Sequence, residues 1–135
     1  MASAGFDWSE YLRLAEELGS RSSDDGALRT AISRSYYYIF HLALERASGN
    51  GFVTVKGESS HLQLWNLFTK SPEPTCLNLG QIALRLKEKR QRADYDNHFA
   101  RLADEISPVL EETRMFATLL SNLAPRHPNP NSIRQ

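Results

Sequence analysis

Ser33-Arg34-Ser35-Tyr36-Tyr37-Tyr38-Ile39-Phe40-His41 decides the fold. Around it, Leu28, Ile32, Tyr36, Ile39 and Ala43 recur at helical spacing and make one apolar stripe. Ala31, Tyr38 and Leu42 make a second. Two stripes on one helix mean that it is enclosed on several sides, so this segment reads as the central helix of a bundle. It starts near Asp24 or Asp25, whose carboxylates suit a helix N-terminus, and runs to about Ser48, where Gly49-Asn50-Gly51 is a stop signal. Arg29, Arg34 and Glu45 fall on its remaining wet or interfacial face.

Outward from this segment the pattern stays helical. Asp7 and Glu10 have the spacing of a capping box, and Trp8, Leu12, Ala15 and Leu18 follow as a stripe that Gly19 ends. Residues 49–57 read as an exposed connection. A third helix starts at Ser59 or Ser60 and carries Leu62, Leu64, Trp65 and Phe68. Ser71 to Thr75 is a proline-bearing loop, and a fourth helix covers about Leu77 to Ala93. The last helix begins near Asn97 or His98 and reaches Asn122, with a kink or split expected at Pro108. No stretch alternates with period two. Five helices packed antiparallel in an all-α bundle is the economical architecture for residues 1–124, and the Pro/Asn-rich segment 125–135 reads as a disordered tail.

Composition bounds the function. The 135 residues make one domain, long enough to bury roughly two-thirds of its unfolded surface without a staple. Formal net charge is zero, so the global balance draws the chain to neither nucleic acid nor membrane. Cys76 is alone, which excludes an intrachain disulfide. No apolar run spans a bilayer and no secretory leader is evident, so a soluble cytoplasmic protein is expected. The four histidines show no paired metal-ligand spacing, and neither a metal nor a cofactor is expected.

The chemistry concentrates between Arg85 and His98. On the fourth helix the apolar stripe reads Leu79, Ala83, Leu86, then Arg90, then Ala93. An arginine in that position is paired, snorkelling or at a partner interface, because an unpaired buried charge is prohibitive. Asp94 and Asp96 are candidate partners; the alternative is an anion contact, since the guanidinium fork matches phosphate oxygens. Arg85, Lys87, Lys89, Arg90 and Arg92 face one Glu88, either as a solvated helix face or as a phosphate-contacting one. The three successive tyrosines point about 100° apart, so at least one is core and at least one reaches an interface. A buried phenol needs a hydrogen-bond partner, and Asp94 or His41 is the expected one for this group. His61 reads as a structural histidine at a helix start.

Taken in order, Phe6-Asp7-Trp8-Ser9-Glu10-Tyr11, Ser33 to His41, His61 and Arg90-Gln91-Arg92-Ala93-Asp94-Tyr95-Asp96 resemble the HEPN domains (higher eukaryotes and prokaryotes nucleotide-binding). The likeness is to their small stand-alone prokaryotic branch and covers about residues 6–122. It implies an all-α up-and-down bundle and a homodimer. It also implies a toxin–antitoxin or defence setting, with a minimal nucleotidyltransferase as partner protein. Many such domains are metal-independent ribonucleases that use an arginine and a histidine about four to six residues apart. Arg92 and His98 have that spacing; Arg90, which aligns with the family's R-x-x-ADY segment, lies further from His98. By resemblance, Arg90, Arg92 and His98 are the catalytic candidates and RNA the substrate, with Arg34, Tyr36, Asp94 and Tyr95 as binding candidates. A catalytically silent HEPN binding module is the alternative.

Overall fold

The computed structural model describes residues 5–132. They form five helices: α1 (Ser9–Gly19), α2 (Asp25–Gly49), α3 (Ser60–Thr69), α4 (Pro74–Tyr95) and α5 (Leu102–Asn122). No strand occurs among the described residues, and the chain is an all-α bundle. The helix α2 is its axis, packed against all four others. Twelve of its residues are buried, among them all of the first stripe and Ala31 and Tyr38 of the second. Trp65 and Phe68 of α3, Leu79, Ile82 and Leu86 of α4, and Val109 and Phe116 of α5 complete the core at 0–1% exposure. Each large side chain so buried contributes roughly 1.5–3 kcal/mol. None of the described helices is long and apolar enough to cross a membrane.

Local signals explain most boundaries. Asp24 Oδ1 accepts from Ala27 N–H at 3.0 Å, and Ser59 Oγ accepts from Leu62 N–H at 3.3 Å. These caps start α2 and α3. Asp7 caps by a shorter route than a capping box: its Oδ1 accepts from both the backbone N–H and the hydroxyl of Ser9, at 3.0 and 2.7 Å. The helix α4 begins earlier than expected, because Pro74 sits in the first turn, where its missing N–H costs nothing. Close packing of α3 on α4 depends on Gly80, since a Cβ there would stand 2.5 Å from Thr69 Cγ2.

Three expectations are corrected. The last helix starts at Leu102, not at Asn97 or His98, and residues 96–101 are a connection ending in the left-handed Arg101 (φ 57°). The reason lies on α2. Arg29 Nη1 donates to the carbonyls of Ala93 and Asp96 at 2.9 and 2.7 Å and lies 3.4 Å from that of Arg92, while Nη2 lies 3.4 Å from that of Asn97. Arg29 thereby fixes the course of the chain as it leaves α4. Pro108 does not split α5, which runs unbroken through it. The segment after α5 is held rather than free. Arg46 donates to the carbonyls of Leu120, Ala124 and His127 at 2.8–3.3 Å, and Asn50 to those of Pro125 and Pro128 at 3.0 and 3.1 Å. The final part of that segment, 133–135, lies outside the described residues.

Candidate functional site

Arg90 points inward, as its place in the stripe requires. Leu79, Ala83, Leu86, Arg90 and Ala93 are all buried, and Arg90 is 7% exposed. Its guanidinium lies 5.3 Å from the ring centres of both Tyr36 and Tyr37 and 6.0 Å from that of Tyr95. Ring quadrupoles offset part of the desolvation of a buried cation. The expected ion pair with Asp94 is long, 3.5 Å from Nη1 to Oδ2. The same carboxylate oxygen also accepts from Ser33 Oγ at 3.3 Å. Arg90 Nε is buried without a hydrogen-bond partner. The arginine is therefore housed but under-satisfied.

Tyr36 is fully buried, so it cannot itself touch a ligand, and its partners are neither Asp94 nor His41. Trp65 Nε1–H donates to its hydroxyl oxygen at 2.9 Å, and His61 Nδ1 lies 2.6 Å from the same oxygen. The hydroxyl proton needs an acceptor, and His61 Nδ1 is the one in reach. The chain of donation thus runs from Trp65 through Tyr36 to His61, which places the imidazole proton on Nε2. Burial, with Arg90, Lys87 and His41 nearby, lowers the His61 pKa from 6.5 to about 4, so the ring is neutral at pH 7. Burial pushes the Tyr36 phenol up to about 12 and keeps it a donor. His61 also stacks on Phe40, with centroids 4.1 Å apart.

Arg34 extends this cluster from α2. Its guanidinium lies 4.6 Å from the Tyr11 ring centre and 5.4 Å from that of Tyr37. Like Arg90, it has a buried Nε with no partner. Behind it, His41 lies flat on Trp8 at 3.4 Å, which ties α1 to α2, and burial and Arg34 lower its pKa.

The remaining site candidates lie apart from this cluster in character. Arg92 rests on Phe99, 4.2 Å from guanidinium carbon to ring centre. His98 is exposed on the connection that Arg29 holds, and not on the last helix. Tyr95 is 76% exposed at the end of α4. The basic run is not a uniform cationic strip: Arg85 pairs with Glu112 at 2.6 Å and Lys89 with Glu105 at 2.7 Å. The structure thus joins Arg34, Tyr36, Arg90 and Asp94, adds Tyr95 at their edge, and leaves Arg92 on Phe99 and His98 exposed outside this cluster. His61 and Trp65 are additions, which the sequence reads as a structural histidine at a helix start and an apolar residue of α3; only the contacts of α3 with α2 reveal their role. No group of three or more His, Cys, Asp or Glu that could hold a metal ion occurs among the described residues.

What this arrangement can do is bind an anion. It offers two guanidinium groups and one neutral N–H donor, and one carboxylate, Asp94, bonds to one of the two arginines. Comparison of the chain with known families, curated proteins and solved structures returns no match.

Proposed function

We propose that this chain is a HEPN-like protein of a prokaryotic toxin–antitoxin or defence system that engages RNA phosphate at the C-terminal end of α4. One observation carries the reading: Arg90 sits in an apolar seam with a 3.5 Å carboxylate contact and an Nε that nothing in the bundle satisfies. A buried guanidinium left in this state gains more from an incoming oxyanion than a solvated one does. A homodimer would set two such sites across one cleft.

Cleavage in this reading needs no metal. His98, which is exposed, takes the proton from a ribose 2′-hydroxyl, and the 2′-oxygen forms a bond to phosphorus. The phosphorus–5′-oxygen bond breaks, and the leaving oxygen receives a proton from the imidazolium. Arg90 or Arg92 stabilises the phosphorane charge. The products are a 2′,3′-cyclic phosphate and a 5′-hydroxyl.

A second reading is a catalytically silent module that binds a minimal nucleotidyltransferase or another protein. The exposed place of His98 on the connection after α4, with Arg90 directed into the seam, favours it, because cleavage needs both groups at one phosphate. Labelled tRNA and mRNA incubated in EDTA with the wild type, His98→Ala and Arg90→Ala separate the two. Cleavage lost in both variants supports the ribonuclease. Cleavage absent in the wild type, or equal in His98→Ala, removes the ribonuclease and leaves the silent module.

A further inference from the structure

Arg90 is not the only cation with an unpartnered Nε here: Arg34 shares that state and lies against the same ring. Arg34 and Arg90 lie 5.4 and 5.3 Å from the Tyr37 ring centre, and the His61 ring lies 5.9 Å from it, edge to face. The Tyr37 hydroxyl and the Nη atoms of Arg34 make no hydrogen bond among the described residues. The Arg90 side chain is 8% exposed, with one long contact to Asp94 and an unpartnered Nε. The hydrogen-bond chain from Trp65 through Tyr36 holds His61 with its Nε2–H as a fixed neutral donor.

We propose that Arg34, Arg90, the Tyr37 hydroxyl and the Nε2–H of His61 form a binding site for a terminal phosphate group. This rests on the reading of Arg90 as an anion contact and is independent of RNA cleavage. Three features select a phosphate monoester. The cations near His61 are Arg90 and Lys87, Arg34 joins them through Tyr37, and Asp94 is the carboxylate bonded within the cluster. That balance matches a dianion rather than a single carboxylate. The donors outnumber what a carboxylate's two oxygens accept in good geometry. The recessed Arg90 is reached by a group that protrudes on one bond, as a terminal phosphate does; an internal phosphodiester is flanked by chain on both sides. Phosphorylated ends of RNA and free inorganic phosphate share this chemistry.

The test has three ligands: inorganic phosphate, a 5′-phosphorylated oligoribonucleotide and the same oligoribonucleotide with a 5′-hydroxyl. Binding is read by calorimetry and by the arginine Nε–H and imidazole nitrogen resonances of the full chain. Expected are shifts of the Arg34, Arg90 and His61 side-chain signals with phosphate. The 5′-phosphorylated strand should bind at least about tenfold more tightly than the hydroxyl strand, as befits a lost charge-assisted contact of about 1.4 kcal/mol or more. Arg34→Gln should remove that difference while the protein remains folded by circular dichroism. Equal affinity for the two strands, with no shift by phosphate, overturns the terminal-phosphate site but leaves Arg90 as a backbone contact. Phosphate shifts without binding of either strand keep the site and remove RNA as its partner.

Discussion

Four arginines show two uses of one side chain. Arg29 and Arg46, on α2, turn their guanidinium groups onto backbone carbonyl oxygens at the ends of α4 and α5. They hold the connections that follow those helices. Arg34, also on α2, and Arg90, on α4, lie instead against tyrosine rings, each with an unsatisfied buried Nε. The first pair completes the fold. The second pair is tolerated by it. A guanidinium bonded to backbone carbonyls is a clamp, whereas one housed among ring faces keeps its hydrogen-bonding capacity for something else.

Breaking the clamp should have the largest effect. Arg29→Ala leaves the end of α4 without its donor and is expected to cost about 3 kcal/mol, read by chemical denaturation, with hydrogen exchange rising first at residues 96–101. Next comes the chain of donors behind His61. Tyr36→Phe removes the acceptor of the buried Trp65 N–H and the donor to His61 Nδ1, for an expected loss of about 2 kcal/mol. A shift of the imidazole from one fixed tautomer to a mixture, seen by nitrogen NMR, would accompany it.

The pH dependence sharpens the same point. The folded-state pKa of His61 lies near 4, below the 6.5 of the ordinary imidazole. Between these values the unfolded chain binds a proton that the folded chain does not, so stability falls as pH drops from 6.5 towards 4 and is fully present above 6.5. Allowing for solvent screening, this amounts to about 2 kcal/mol, and His61→Gln should flatten that part of the profile. The smallest effect should come from Arg34→Gln. It loses ring contacts worth about 0.5–1 kcal/mol but no hydrogen bond to the bundle, so its melting temperature should barely move. A destabilisation matching that of Arg29→Ala would erase the distinction between the two pairs.

Legibility in the sequence followed physical locality. The five helices were readable because helical spacing and capping are properties of neighbours in the chain, as at Asp24 and Ser59. The inward direction of Arg90 was readable for the same reason, as a charge caught in an apolar stripe. The start of α5 was not, because it depends on Arg29, more than sixty residues away in sequence. Nor was the segment after α5, whose composition reads as tail while Arg46 and Asn50 tie its carbonyls down. His61 read as a structural histidine, but nothing adjacent to it marks the tyrosine that it meets.

From the chain alone came an all-α bundle, α2 as its axis, and a cation directed into the α4 seam, since each follows from periodicity. Tertiary packing decided which groups that cation meets, which arginines became clamps, and which imidazole nitrogen carries the proton. Those outcomes depend on hydrogen bonds and ring contacts between helices, and such contacts exist only once the helices have been brought together.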